Sequence, residues 1–154
     1  MKLSTTDYRI LDALQQDATL SQDELANRVG LSRTSCWRRI RELETAGLIE
    51  RRVAVLNPKL AGIRLQVLLA VALTEHTDEN RQLFEGHIAR LDEVTEAFSV
   101  SGERDYVLQV AVRDMEAYNT FLNTRILSHP AVRSASSTFA LRRVKYTTRL
   151  PLGV

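Results

Sequence analysis

The sequence has little of what would take it out of the ordinary globular class. It holds one cysteine, Cys36, which excludes an intramolecular disulfide and a multi-cysteine zinc site. Its 6 glycines and 3 prolines exclude collagen-like and low-complexity chains, and 44% hydrophobic with 26% charged residues argues against disorder. Long apolar runs are missing: the strongest, Leu65 to Leu73, includes Gln66 and falls far short of the ~20 residues of a membrane helix. The opening MKLSTTDYRILDAL has carboxylates among its apolar residues, unlike a secretory signal. His76, His87 and His129 are not at metal-ligand spacing, no serine-histidine-acid or Walker arrangement occurs, and Gly102-Glu103-Arg104-Asp105 is no phosphate loop. No cofactor, metal or membrane partner is therefore expected, and the protein reads as reduced and cytoplasmic. The 154 residues suit two compact domains.

What is there is unevenly spread. Net charge is only +2, yet residues 28–52 carry seven arginines (28, 33, 38, 39, 41, 51 and 52) against three acids, Glu42, Glu44 and Glu50. A basic cluster on a defined element is the electrostatic footprint of nucleic-acid binding; a solvated charged face is the plain alternative.

From Thr5 to Gly47 the periodicity is helical. Ile10, Leu11 and Leu14 share one face of a first helix, with Thr5 or Thr6 as N-cap before Asp7. Ser21 with Glu24 has capping-box spacing, flanked by Leu20 and Leu25 at staple positions, and Gly30 stands where the second helix must end in positive φ. A third helix follows at once from Ser32 and closes at Gly47. Three short helices, the last two joined by Val29-Gly30-Leu31-Ser32, form a helix-turn-helix pattern around one shared core. Leu48 to Leu56 reads as a β-hairpin arm or wing, and Asn57-Pro58 marks a turn and the boundary between domains 1–60 and 61–154.

Beyond Arg64 the period changes. Leu65 to Leu73 is strand-like, although periodicity alone also permits a buried helix. Asp78 to Leu91 puts Leu83, Phe84, His87, Ile88 and Leu91 on one helical face with Asp78 as cap. Val94–Ser101 and Tyr106–Val112 alternate as strands joined by a hairpin turn. Asp114 to Leu127 is amphipathic with Met115, Tyr118, Leu122 and Ile126 inward, and Val132 to Tyr146 closes the set. The order β-α-β-β-α-β predicts an α+β, ferredoxin-like domain with helices on one sheet face and the other face solvated or covered by a second subunit.

On the third helix, Cys36, Ile40 and Leu43 define the buried side, with Cys36 a small hydrophobe facing Leu31. Thr34, Arg38 and Arg41 lie opposite, Trp37 on the flank, and Ser32, Arg33 and Ser35 at the amino end. That is the set a helix needs in a major groove: arginine forks onto guanine, small hydroxyls allow close approach, and the amino end favours phosphate. Trp37 could equally pack at the core edge, and the arginines could pair with Glu42 and Glu44. Arg51 and Arg52 on the arm suit phosphate contacts.

These fragments together resemble the leucine-responsive/asparagine-responsive (Lrp/AsnC) transcription regulators. The likeness runs nearly end to end, through TTDYRILDALQQDAT, LSQDELANRVGLSRTSCWRRIRELETAGLIERRVAVLNPKLAG, VSGERDYVLQV and KYTTRLP. It departs at Ser35, where many members have proline. The resemblance implies a winged helix-turn-helix domain joined to a ferredoxin-like domain that dimerises, commonly into higher assemblies, and binds a small effector, usually an amino acid. It also implies a pocket at subunit interfaces near a G-x-x-D-Y motif, here Gly102, Asp105 and Tyr106, with Ser99, Ser101, Met115, Thr138, Phe139 and Ala140 as further candidates. Asp105 as a plain turn residue and Tyr106 as a core strand position are the other readings.

The expectation is a one-component transcription regulator: not an enzyme, binding an operator in double-stranded DNA as a homodimer or higher homo-oligomer, and responding to an amino acid. A sirohaem decarboxylase looks like the same architecture and is the enzymatic rival, against which the arginine-rich helix and the scattered histidines count. A regulator whose helix-turn-helix contacts a protein partner is another, and it predicts no salt-dependent DNA binding.

Overall fold

The computed structural model describes residues 2–153. They form two compact units, each with its own apolar core. One takes the chain up to Val55 together with the stretch from Val144 onward; the other runs Leu56–Arg143. The stretch from Val144 was expected to end the second domain, and it groups instead with the helices of the first.

The first unit holds three helices: α1 (Thr5–Gln16), α2 (Gln22–Val29) and α3 (Arg33–Thr45). Each begins where a short oxygen side chain can serve the free N–H groups of the first turn. Ser4, not Thr5 or Thr6, caps α1, because Asp7 three residues on returns the bond and closes a capping box. Ser21 with Glu24 caps α2 as the spacing predicts; Gly30, at φ 72°, ends it in the left-handed conformation that costs glycine little. Ser32 caps α3. Ile10, Leu11, Leu25, Val29, Cys36, Ile40 and Leu43 are buried together as one core.

The arm predicted over Leu48–Leu56 does not form a strand. A strand needs a neighbouring backbone, and among the described residues none pairs with this stretch, which leaves Val53, Val55 and Leu56 exposed. Asn57 then makes the predicted turn, its side-chain oxygen accepting the N–H groups of Lys59 (3.1 Å) and Leu60 (3.3 Å).

The second unit is a four-stranded antiparallel sheet in the order β2-β3-β1-β4, with β1 Leu65–Leu73, β2 Val94–Ser99, β3 Tyr106–Val112 and β4 Val132–Phe139. Val67, Leu69 and Val71 of β1 pair in register with Val110, Leu108 and Tyr106 of β3 and face the core. Phe84 and Ile88 of α4 (Asp78–Ile88) and Tyr118, Phe121 and Ile126 cover that same face. Thr77, not Asp78, caps α4, and Leu83 lies on its exposed side. After α5 (Met115–Phe121) the chain widens into a π-helical turn, Leu122–Ile126, closed by the Leu127 N–H on the Leu122 carbonyl at 2.8 Å. The wider turn brings Phe121 and Ile126 to the core together, while Met115, expected inward, is exposed. β4 stops at Phe139 rather than reaching Tyr146 because its partner runs out: Phe139 is opposite Val67, and the Ala140 N–H makes a last bond to the Gln66 carbonyl. Among the described residues no helix covers the outer face of the sheet, and Leu68 and Phe98 stand about half exposed on it.

Candidate nucleic-acid interface and effector site

Cys36, Ile40 and Leu43 are buried, as the helical spacing requires, and this turns Thr34, Trp37, Arg38 and Arg41 to the surface. The Ser35 N–H donates to the Ser32 hydroxyl oxygen (3.3 Å), fixing the amino end that both serines line. Arg33 reaches back to α2, donating to Gln22 (3.3 Å) and lying 3.6 Å from Asp23. Arg38 pairs with Glu42 one turn on (2.7 Å), and Arg52 with Glu44 (3.1 Å). Arg41 takes the other course and lies over the Trp37 ring, 5.1 Å from its centroid, a cation–π contact on an indole that is itself 45% exposed. The two ion pairs are solvated and hold little energy, so an incoming anion or base edge can displace them. Arg51 is exposed beside this set.

The sequence reading missed a tie between α3 and α1. Arg39, counted only as part of the basic cluster, is half-buried and donates to Asp7 Oδ1 (2.8 Å). Asp7 Oδ2 accepts from the Ser4 N–H (2.8 Å) and hydroxyl (2.6 Å). Burial pushes the Asp7 carboxyl up, but the Ser4 bonds and the Arg39 guanidinium outweigh it and hold the group below its ordinary value. The Ser4-x-x-Asp7 spacing is the signal that could have located half of this clasp. Cys36 is enclosed, and burial pushes its thiol up, away from reactivity.

In the second unit the nine candidate effector residues fall into two groups. Ser99, Ser101, Gly102, Asp105 and Tyr106 lie at the β2–β3 turn, beside the carboxyl end of β1, where the Asp105 N–H donates to the Val71 carbonyl (2.9 Å). Thr138, Phe139 and Ala140 lie alongside Leu68, Val67 and Gln66, with Met115 following β3 at that same end. Four residue steps along β1, about 13 Å, separate Val67 from Val71. One chain therefore does not bring all nine together.

At the first group, Gly102 has φ 125°, a backbone that side chains rarely adopt. Asp105 Oδ2 accepts the Leu73 N–H (2.8 Å), and its Oδ1 lies 2.7 Å from His76 Nδ1, so the carboxylate locks the turn onto β1. Tyr106 is buried against Phe84 (5.1 Å between centroids) and donates its hydroxyl to Glu85 (2.7 Å). Burial first, then the Glu85 bond, push its phenol up to about 12. At the second group, Phe139 meets Tyr118 edge to face at 5.4 Å. A cleft of about 670 Å³ lined by Asp92, Glu93, Arg113, Asp114, Glu116 and Arg125 includes none of the nine. His87 and His129, far apart in sequence, bring their rings to 4.7 Å; burial and then His87 hold His129 below the ordinary imidazole range. Among the described residues no three side chains are grouped as a metal site requires.

Comparison with known families decides the identity. Residues 3–50 match the model for winged helix-turn-helix DNA binding, and residues 66–150 match that of the Lrp/AsnC ligand binding domain. The chain belongs to the Lrp/AsnC family of transcription regulators. It is 35% identical over 150 residues to the DNA-binding transcriptional activator DecR of Escherichia coli K12, covering 97% of this chain and 99% of that one. It is 36% identical over 148 residues to the leucine-responsive regulatory protein of the same organism, covering 96% and 90%. Among solved structures, a transcriptional regulator from Neisseria meningitidis in complex with L-Met superposes with a TM-score of 0.94 at 37% identity, covering 99% of this chain and 98% of that one. These matches favour a regulator over the decarboxylase alternative for this Lrp/AsnC chain. No helix among the described residues is long and apolar enough to cross a membrane.

Proposed function

We propose that this Lrp/AsnC chain binds an operator in double-stranded DNA through α3, as a homodimer or higher homo-oligomer in the cytoplasm, and that an amino acid alters that binding. The observation that carries the reading is the exposed face of α3. Its capped amino end presents Ser32, Arg33, Thr34 and Ser35, and its outer side presents Trp37, Arg38 and Arg41, with Arg51 and Arg52 following. Guanidinium forks suit guanine edges and phosphates, and a helix amino end suits phosphate. The relatives named for leucine and solved with L-Met support an amino acid as the effector.

The two separated groups of effector candidates support a pocket completed by a second copy. One protomer supplies the turn at Ser99, Ser101, Gly102, Asp105 and Tyr106; another supplies Met115, Thr138, Phe139 and Ala140. The half-exposed Leu68 and Phe98 on the bare sheet face support the same assembly. An effector acts only through unequal affinity for two arrangements of the protein.

The test is binding to DNA from the gene's flanking region across a salt titration, with random DNA as control and then a panel of amino acids. Tight binding to the former alone, with a steep negative salt slope and a shift by one amino acid, is the expected result. Equal, weak binding to both DNAs at every salt concentration refutes the reading.

A further inference from the structure

Residues 149–152 are held on the helical unit by several side-chain contacts. From Val144 onward the chain belongs to the helical unit, and Arg149 and Leu150 meet side chains of α1. Arg149 reaches Asp12 Oδ1 with two nitrogens, Nε at 3.0 Å and Nη2 at 2.6 Å. The other oxygen of Asp12 is engaged by the Gln16 amide at 2.7 Å, which orients the carboxylate. Next to it Gln15 and the Leu150 backbone exchange two bonds: the Leu150 N–H donates to Gln15 Oε1 (2.6 Å), and Gln15 Nε2 donates to the Leu150 carbonyl (3.3 Å). Leu152 then packs onto the helical core. A charged fork, a reciprocal amide pair and an apolar anchor in four consecutive positions amount to a docking motif read by side chains of α1.

The chain thus passes between its two units twice, forward near Leu56 and back near Arg143. The return begins just after Thr138, Phe139 and Ala140, and Ala140 precedes Arg149 by nine residues. The ion pair is partly solvated, with 49% of the Arg149 side chain and 22% of that of Asp12 exposed, so the seat is held loosely enough to open.

We infer that residues 144–153 are a strap that couples the end of β4 to the DNA-binding helices, so that a small ligand held at Thr138, Phe139 and Ala140 changes operator affinity through the seating of the strap on α1. The inference rests on the proposed effector role of those three residues. A ligand that draws on the end of β4 shifts the register in which Arg149 and Leu150 meet Asp12 and Gln15. α1 then passes the change to α3 through the Asp7–Arg39 clasp.

The test uses the full chain in three forms: wild type, Arg149→Asp, and Asp12→Arg with Arg149→Asp, which restores opposite charges with the partners exchanged. Trypsin cleavage after Lys145, followed by mass spectrometry, reads seating without any ligand. Arg149→Asp is expected to raise that rate roughly 5-fold, as loss of an exposed ion pair allows, and the exchanged pair to bring it back within about 2-fold. Operator affinity without amino acid moves in Arg149→Asp in the direction that the active amino acid gives in the wild type, and returns to within about 2-fold of wild type in the exchanged pair. The shift in operator affinity given by the active amino acid falls to less than half in Arg149→Asp and returns in the exchanged pair. An undiminished shift in Arg149→Asp with its strap released overturns the inference, as does equally fast cleavage in wild type and Arg149→Asp. A wild type that answers to no amino acid refutes the effector reading instead, and the coupling with it, while the cleavage rates still report whether the strap is seated.

Discussion

Replacing Arg39 by alanine tests the clasp that fixes α3 to α1. The substitution leaves Asp7 with the Ser4 N–H and hydroxyl on Oδ2 but strips Oδ1 of the Arg39 donor, in a residue that is 6% exposed. Removing one partner of a fully buried pair costs about 3–5 kcal/mol. Here 32% of the Arg39 side chain is exposed and the Ser4 bonds remain, so about 1.5–2.5 kcal/mol is expected. The protein holds a single tryptophan, Trp37, and it lies in the helical unit, so urea unfolding followed by its fluorescence reads that unit alone. The pH dependence has a definite sign. The folded Asp7 carboxyl sits below its ordinary value, so its stabilisation is complete above the unfolded carboxylate value, about 4, and is lost as pH falls through the lower folded value. Asp7→Asn should therefore be less stable than wild type at pH 7 and lose less on acidification to pH 3. An Arg39→Ala protein within about 0.5 kcal/mol of wild type, or equal acid sensitivity with and without the Asp7 carboxyl, refutes the reasoning.

Arg38→Ala and Arg41→Ala should each cost roughly 1–3 kcal/mol on the true operator if the side chain reads a base, and equal losses on random DNA in a binding titration make it a phosphate contact. Glu42→Gln frees Arg38 from its ion pair and should strengthen DNA binding at low salt more than at high salt, measured by the same titration. Tyr106→Phe removes a buried hydroxyl that donates to Glu85 and should cost about 1 kcal/mol in thermal unfolding; in the wild type, ultraviolet titration should find that tyrosine ionising only near pH 12. Leu68→Asp places a charge on the bare sheet face and should shift the sedimentation coefficient towards the monomer, whereas an unchanged value removes that face from the assembly.

The helices were legible because their signals are local. Ser21 with Glu24, Gly30 and Ser32 act on backbone groups within one turn, and the Cys36, Ile40, Leu43 stripe needs only a period to be seen. The sheet was legible from the alternation of Tyr106 to Val112 and the short hairpin before it. What escaped depends on partners distant in sequence. The end of β4 is set by where β1 begins, and the missing strand over Leu48–Leu56 by the lack of a neighbouring backbone. The inward set after Asp114 was misread because a π-helical turn breaks the period of 3.6 residues on which such a reading rests. The nine effector candidates are single residues or short motifs in the sequence, and their separation along β1 is a property of register that no single motif carries. His76 on Asp105 and Arg39 on Asp7 are likewise pairs made by the fold.

The seating of Arg149 on Asp12 spans 137 positions of sequence. During synthesis α1 to α3 leave the ribosome as a group, with Asp12 and Gln15 waiting for partners not yet made. The stretch from residue 60 to residue 150 takes roughly 5–20 s to translate at about 5–20 residues per second. Leu150 and Leu152 reach α1 only after they have been made and have left the ribosome, so these contacts, of long sequence separation, form late. The helical unit thus draws on stretches far apart in the sequence, and a nascent chain that has not yet reached Val144 presents α1 without Arg149, Leu150 and Leu152.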